Sequence, residues 1–439
     1  MGSGPFFDRL KFCAQTCRML AAWHTITFGF QTRRPFALAI TLIFCLLGHS
    51  SAQGAAEHLI IDYIVSHSAQ RTAWIRVINE FSSANPDVQV THHGYPQEQY
   101  KRDFTSRLKS GKVDLAFWYA GERLRDTVAG KLLSPLDPDT VALLKRKKFH
   151  PITIDGTRID GEVYGFPMYY YPWGFVYRKS LFNRLGIRPP ATWDEFLNVC
   201  ERLSVAGVTP IGLGAAANWP AAGWFDYLNL RINGLEFHRK LLRGDVPFTD
   251  ARVRRVFDTW SSLLRKGYFL TTTMDQEHER VLPYLYRNHV GMMLMGSFVA
   301  AKFPQAIADD MGFFAFPSIA PDVPAYEDAP LDVLVLPAKA PNPLARKRFL
   351  TFLAESGAIR HIAEADQTLP AQADASFPAI LLGDEARQVL NNARGLSSFF
   401  DREADADLVG PVFEGLRLFL KPPHDADQAI ATIEKLRQK

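Results

Sequence analysis

A regular alternation of strand and helix patterns between residues 57 and 119 constrains the fold most. HLIIDYI (residues 58–64), VQVTH (88–92) and VDLAFWY (113–119) have the apolar runs of buried strands. Two amphipathic segments with helical spacing separate them; the first stops at Asn85-Pro86 and the second at Gly111. This β-α-β-α-β order predicts parallel strands with helices on the faces of the sheet.

A second α/β section follows residue 173. GFVY (174–177), TPIGLG (209–214), HVGMMLMGSF (289–298) and MGFFAFP (311–317) are typical of strands. Thr192 and Glu195 form the capping box of a helix that we expect to continue to Leu203. The segment 343–364 has the pattern of one long amphipathic helix. At roughly 150 residues per domain, a chain of 439 residues suggests two or three compact units.

Aromatic residues are concentrated between residues 164 and 177. They are Tyr164, Phe166, Tyr169, Tyr170, Tyr171, Trp173, Phe175 and Tyr177. If residues 168–173 are extended, residues 169, 171 and 173 share one face of the strand and residue 170 takes the other. The rings therefore either fill a hydrophobic core or offer a flat face to a ligand.

The first 52 residues have the pattern of an export signal. Arg33 and Arg34 precede a 12-residue run, Phe36–Leu47, that is apolar except for Thr41, and small residues end the segment at Ala52. A membrane span needs about 20 residues, so we predict cleavage after Ala52 and a periplasmic mature chain. The arginine pair also fits a twin-arginine signal. An ordinary export signal and a retained anchor are the alternatives.

Charge and cysteine content exclude several classes for the chain after Ala52. That part holds 45 basic and 45 acidic residues, and a neutral protein is not a general binder of nucleic acids or membrane surfaces. Cys13, Cys17 and Cys45 precede the cleavage point. Cys200 alone forms neither an intramolecular disulfide nor a cysteine-based zinc site.

Motifs for several enzyme classes are missing from the sequence. It contains no G-x-x-x-x-G-K-[ST], no H-E-x-x-H and no G-x-S-x-G. His92-His93 and His278-Glu279 allow a metal interpretation, but histidines on polar segments are usually solvated. Carboxylates are numerous enough for a two-acid glycosidase, yet no pair is singled out by its spacing. We therefore expect no catalytic residue, no metal site and no cofactor.

Several phrases occur along the chain in a fixed order. They are VDLAFW (113–118), AGKLLSPL (129–136), DGEVYGFP (160–167), GFVYRKSLFNRLGIRPPATWDEF (174–196), GMMLMGSF (291–298) and FLTFLAESG (349–357). Together they resemble the extracellular solute-binding proteins of ABC importers, specifically the large carbohydrate-binding family that includes maltose-binding protein. The resemblance covers Glu57–Lys439.

The resemblance implies an α/β fold of the bilobal periplasmic-binding-protein type, in which two α/β lobes face one another across a cleft. It places lobe 1 at residues 57–167 plus 333–368 and lobe 2 at residues 168–326 plus 370–439. The chain would cross between the lobes near Pro167–Gly174, near Glu327–Val333 and near Asp366–Pro370.

The resemblance also implies a function. We expect a monomeric, non-enzymatic periplasmic receptor that captures a carbohydrate or similar polyhydroxylated solute and delivers it to the membrane subunits of an ABC permease. A sensory protein that presents its closed form to a receptor kinase or chemoreceptor is the main alternative. A periplasmic carbohydrate-active enzyme is a third.

Sugars present apolar C–H faces that stack on aromatic rings and hydroxyls that need fixed polar partners. Trp118 lies at the carboxyl end of the third strand, where ligands bind in open parallel sheets, and Glu122 falls near the family's polar ligand contacts. Ser66 and His67 follow the first strand, where the family has a polar pair. The alternatives are a core position for Trp118 and, for this polar segment, a helix cap at Ser68.

The remaining candidates for ligand binding come from the aromatic stretch and from three later segments. They are Tyr169, Tyr171, Trp173, Asn218, Trp219, Trp224 and Phe298. Tyr171 stands six residues before Tyr177, where maltose-binding relatives place a ligand-binding acid, and Phe298 stands where relatives commonly have tryptophan. Packing within a hinge or core is the alternative for the aromatic candidates. Phe399 and Phe400 either cap the cleft from the C-terminal part or pack in the core, and we expect the core position.

Overall fold

A computed structural model describes residues 57–373 and 380–438. The predicted export segment 1–52, its arginine pair and its cleavage point lie outside the described residues, as do Cys13, Cys17 and Cys45. Cys200 is a buried free thiol, and burial raises the pKa of this thiol. Among the helices of the described residues, none is long and apolar enough to cross a membrane.

The elements of the described residues alternate between strands and helices along the chain. The strands are β1 (Glu57–Ile64), β2 (Val88–Tyr95), β3 (Leu115–Tyr119), β4 (Leu133–Ser134), β5 (Arg158–Ile159), β6 (Glu162–Val163), β7 (Gly165–Tyr170), β8 (Trp173–Arg178), β9 (Thr209–Gly212), β10 (Val290–Gly296), β11 (Met311–Phe314), β12 (Tyr326–Asp328), β13 (Leu331–Pro337), β14 (Leu369–Pro370) and β15 (Gly395–Ser397). The α-helices are α1 (Ser68–Ala84), α2 (Gln97–Lys109), α3 (Glu122–Ala129), α4 (Pro138–Arg146), α5 (Pro151–Asp155), α6 (Lys179–Arg184), α7 (Trp193–Val205), α8 (Trp219–Leu242), α9 (Ala251–Arg265), α10 (His278–Tyr286), α11 (Pro343–Ser356), α12 (Ile359–Asp366), α13 (Gly383–Asn392), α14 (Phe400–Glu403), α15 (Ala406–Phe419) and α16 (Ala426–Arg437). Short 3-10 helices cover Ser297–Lys302 and Gln305–Asp310.

The first sheet has the strand order β14-β7-β13-β3-β1-β2, with β4 paired to β13. β1 pairs in parallel with both β2 and β3, so the predicted β-α-β-α-β unit is confirmed. β13 enters the sheet antiparallel to β3 and β7, although it lies more than 150 residues further along the chain than β7. The first sheet is therefore completed by a late segment.

The second sheet has the order β11-β8-β10-β9. β8 pairs antiparallel with β10 and β11, and β9 pairs in parallel with β10. The four strands predicted after residue 173 are confirmed. The predicted capping box of α7 is also confirmed: the Thr192 hydroxyl accepts from the Glu195 amide, and the Glu195 carboxylate accepts from the Thr192 amide.

Each sheet has its own hydrophobic core within Ala56–Lys439, which clusters as one compact unit. The first core includes Trp74 and Phe104, and the second includes Trp224 and Trp260. We use "first lobe" and "second lobe" for the parts built on these two cores. Tyr169 packs in the first core and Tyr171 in the second, so the chain passes between the lobes within the aromatic stretch.

The predicted long helix over residues 343–364 is wrong as a single helix. The chain breaks into α11 and α12 at Gly357, which has φ 68° and lies in the left-handed region. Glycine adopts this conformation without a steric penalty, and it commonly ends helices. The break lets α12 turn and end at Asp366, beside the start of α1.

Candidate functional site

A cavity of about 290 Å³ lies between the two lobes. Seven of the eleven residues predicted to bind a ligand line it: Ser66, His67, Tyr169, Tyr171, Trp173, Trp219 and Phe298. They come from the β1–α1 loop, the β7–β8 crossing, the start of α8 and the 3-10 helix after β10. Segments more than 200 residues apart in the sequence thus meet at one place.

The wall formed by the second lobe is aromatic. Trp173 stacks on Phe399, with ring centroids 4.6 Å apart and an interplanar angle of 14°. Trp219 presents its ring edge-on to Trp173 at 5.8 Å. Phe298 packs edge-on against Tyr171 at 5.1 Å. These contacts hold the rings in fixed orientations, so a flat apolar face of a ligand would meet a preorganised surface.

Strand alternation explains which tyrosines reach the cavity. Tyr169 and Tyr171 line the cavity between the lobes, which we call the first cavity or the ligand cavity. Tyr170 lines a second cavity of about 630 Å³ on the reverse side of β7, which we call the reverse cavity. The same alternation holds at the end of β3, where its last residue Tyr119 lines the first cavity and the next residue, Ala120, lines the second. The crossing strands therefore separate two cavities.

Trp118, predicted to bind the ligand, packs inside the first lobe and does not line the cavity, which agrees with the alternative of a core position. Its ring stacks on Phe104 with a centroid distance of 3.4 Å, and its Nε1 donates to the Arg123 carbonyl at 3.3 Å. Its neighbours Phe117 and Tyr119 line the cavity instead. In an extended strand, a shift of one residue moves a side chain to the opposite face.

Three further candidates lie away from the cavity. Trp224 is fully buried in the second core, where it packs against Trp260 and Phe175. Glu122 lines the reverse cavity and accepts from Arg125 at 2.6 Å. Asn218 precedes α8 and is not among the residues that line the first cavity. None of the three lines the first cavity, and their contact with a ligand stays a prediction.

His67, rather than Ser68, caps helix α1. Its Nδ1 accepts from the Gln70 amide at 3.2 Å, so its Nε2 carries the proton and donates to Asp366 at 3.0 Å. The other oxygen of Asp366 accepts from the Gln70 side chain at 2.8 Å. The three side chains form a fixed polar corner of the cavity, joining β1 to the end of α12.

Arg402 also lines the cavity and was not predicted. It donates to Asp332 at 2.8 Å and to the Tyr171 hydroxyl at 2.9 Å. Its guanidinium carbon lies 4.0 Å from the centre of the Tyr119 ring. Burial raises the pKa of the Tyr171 hydroxyl, so this group stays protonated. The cluster offers a ligand a cation, a carboxylate and a neutral hydroxyl.

The ionisation of Asp332 makes the stability of the folded protein depend on pH. Burial raises the pKa of its carboxyl to about 6, against the opposing effect of Arg402. Because this pKa lies above the unfolded value, the folded state holds the proton more tightly. The stabilisation of the folded state by protonated Asp332 is complete below about pH 4 and is lost as the pH rises through about 6.

We expect the difference in unfolding free energy between the wild type and Asp332→Asn to fall by about 2–3 kcal/mol from pH 4 to pH 8, at 1.36 kcal/mol per pKa unit. Urea titrations of both proteins at four pH values measure this difference. Parallel pH profiles would show that Asp332 titrates as it does in the unfolded chain.

Several lining residues carried no local sequence signal. Asp332, Asp366 and Arg402 belong to no binding motif in the sequence, and the partner of each lies 70 to 299 residues away. Tyr119 could have been predicted, because it directly follows Trp118 and faces the opposite side of the strand. Phe399 was assigned to the core, and it both packs there and lines the cavity.

Within residues 57–373 and 380–438, no three His, Cys, Asp or Glu side chains converge as metal ligands would. His93 instead pairs with Asp62 at 2.8 Å, and His278 packs against the Trp219 ring at 4.7 Å. The groups that line the cavity are aromatic faces and hydrogen-bonded polar side chains. Two α/β lobes around such a cavity define the class of bilobal solute-binding proteins.

The comparison with protein families agrees with this class. The model for bacterial extracellular solute-binding proteins matches residues 66–359, about two thirds of the chain. The chain belongs to this family, and the resemblance found in the sequence is confirmed.

Three known proteins illustrate the relationship. An uncharacterized ABC transporter extracellular-binding protein of Pyrococcus horikoshii is 25% identical over 67% of this chain and 68% of its own length. The melibiose/raffinose/stachyose-binding protein MelE of Bacillus subtilis is 20% identical over 76% of this chain and 80% of its own. The crystal structure of the bacterial solute receptor AcbH is similar with a TM-score of 0.78 and 28% identity, covering 87% of this chain and 97% of that one.

Proposed function

We propose that this protein captures a carbohydrate or similar polyhydroxylated solute in the cavity between its lobes and delivers it to an ABC permease. One observation carries the proposal: aromatic rings from both lobes meet around a cavity that also holds a carboxylate and a guanidinium group. Rings supply affinity for the C–H face of a sugar, and the polar groups select its hydroxyls.

The size of the cavity supports a small ligand. Ligand pockets generally span about 300–1,000 Å³, and this cavity of about 290 Å³ lies at the lower limit. The related proteins are described as binding sugars of several sizes. The receptor AcbH has an exclusive substrate preference for β-D-galactopyranose, whereas MelE is a binding protein for melibiose, raffinose and stachyose.

We further propose that the solute leaves unchanged. All five carboxylates that line the cavity are paired with a basic side chain: Glu98 with Lys101, Glu279 with Lys302, Asp332 with Arg402, Asp366 with His67, and Asp401 with Arg123. An opposite charge nearby disfavours the protonated form that the general acid of a glycosidase needs. We also propose that the segment 1–52 directs export, that the protein is a monomer, and that the boundaries between the lobes lie near residues 167 and 333.

Isothermal titration calorimetry across a panel of hexoses, disaccharides, raffinose and polyols tests the binding. We expect dissociation constants in the micromolar range or tighter for at least one sugar, with the sugar recovered intact by chromatography. Amino acids serve as the negative control. A folded protein that gives no heat with any sugar, or that releases new reducing ends, would contradict the proposal.

A further inference from the structure

Three consecutive charged residues of the second lobe each pair with an opposite charge of the first lobe. Asp401 accepts from Arg123 at 3.0 Å, Arg402 donates to Asp332 at 2.8 Å, and Glu403 lies 3.3 Å from Arg125. We call Asp401, Arg402 and Glu403 the charged turn. Together with Phe400 they form helix α14, which packs against α3 of the first lobe.

The charged turn reaches both cavities. Successive residues of a helix point about 100° apart, and Asp401 and Arg402 line the ligand cavity whereas Glu403 lines the reverse cavity. Phe399, the residue before helix α14, stacks on Trp173. Anything that fixes the turn therefore also fixes two polar groups and one ring at the ligand.

Arg123 holds the turn most firmly, and it does not itself line the ligand cavity. Its Nε donates to the Asp401 carbonyl at 2.5 Å, and its Nη2 donates to the Asp401 carboxylate at 3.0 Å. Its own carbonyl accepts from the buried Trp118, which anchors it in the first lobe. The planar fork of an arginine is preorganised to donate to the backbone and to the side chain at once.

Arg125 makes a second, weaker attachment. Its side chain is 44% exposed and is shared between Glu122 at 2.6 Å and Glu403 at 3.3 Å. Exposed ion pairs contribute little because water and salt screen them. The Glu403 carboxylate is well buried, and Arg239 of the second lobe also lies 4.0 Å from it.

We propose that Arg123, supported by Arg125, is a positioning residue for ligand binding: from the first lobe it holds the charged turn that walls the ligand cavity. The inference rests on the proposed function for the ligand, but its structural part can be tested without one. When a binding-competent arrangement is only partly populated, the apparent affinity falls by the same fraction. Removing Arg123 should therefore weaken binding although no ligand contact is deleted.

The test compares Arg123→Met, Arg123→Lys and the control Arg417→Met. Arg417 pairs with Glu414 within helix α15, so its replacement removes an ion pair that does not cross between the lobes. We expect Arg123→Met to bind the sugar found by calorimetry at least about tenfold more weakly, Arg123→Lys to recover part of the loss, and Arg417→Met to match the wild type. Met and Lys have similar length, so equal losses would indicate packing and overturn the proposal.

Hydrogen exchange in the unliganded full-length protein gives the second measurement. The amides of Arg402, Glu403 and Ala404 donate within α14 to the carbonyls of Phe399 and Phe400. Their exchange should become faster in Arg123→Met and stay unchanged in Arg417→Met. If the wild type binds no sugar, the proposed function fails and this measurement alone decides the inference. Unchanged exchange in Arg123→Met overturns it.

Discussion

Replacing Trp219 by alanine is expected to weaken sugar binding by at least about tenfold, which corresponds to 1.4 kcal/mol, because an aromatic face of the cavity is lost. Trp219 is only partly buried and touches Trp173 and His278 through ring-edge contacts. The unfolding free energy should therefore change by no more than about 1–2 kcal/mol. Calorimetry and urea unfolding measure the two effects separately.

Trp224 provides a matched variant five residues along the same helix. It is fully buried among Phe175, Trp260 and Phe269. Trp224→Ala should cost about 3–5 kcal/mol of unfolding free energy, since it leaves a cavity in the second core. Below the melting transition, its affinity for sugar should stay within a few-fold of the wild type. Trp224→Phe should recover most of the stability, because no described residue accepts a hydrogen bond from the indole N–H.

The opposite pattern would invalidate the assignment of the cavity. If Trp224→Ala removed binding from a folded protein while Trp219→Ala left it intact, the ligand would lie near the second core. If both variants bound normally, the aromatic wall would have no part in recognition.

Local patterns in the sequence were sufficient for much of the fold. The strands of the first β-α-β-α-β unit follow from apolar runs, and the capping box at Thr192 follows from two residues three apart. Gly357 shows the limit of periodicity, because the apolar spacing continues across a residue whose backbone ends the helix. The entry of β13 into the first sheet depends on a pairing over more than 150 residues, and the family resemblance supplied it.

The candidate site was less predictable, for two physical reasons. The first is the alternation of side chains along a strand. Trp118 and Tyr119 are adjacent on β3 and point to opposite faces, and because the whole segment is apolar, its pattern does not show which of the two faces the cavity. The second is distance along the chain. The partners of Arg402 are Asp332 and Tyr171, and no local motif indicates that these three segments meet.

Replacing Glu327 by leucine is expected to cost about 3–5 kcal/mol of unfolding free energy, because it leaves a buried cation without its counter-charge. Glu327 accepts from Arg231 at 2.6 Å, and the two side chains are only 2% and 3% exposed. Arg231 also donates to the carbonyls of Phe316 and Tyr326, so it ties β12 to the segment after β11. Urea unfolding followed by tryptophan fluorescence measures the loss.

The double variant Glu327→Leu/Arg231→Met separates a lost attraction from an uncompensated charge. A buried ion pair replaced by apolar side chains is often nearly neutral in stability. The double variant still leaves the Phe316 and Tyr326 carbonyls without their donor, and an unmade hydrogen bond of this kind costs about 1–3 kcal/mol. We therefore expect partial recovery and a coupling energy of about 2–3 kcal/mol between the two sites. Additive losses would mean that water reaches Arg231 in Glu327→Leu and solvates the cation.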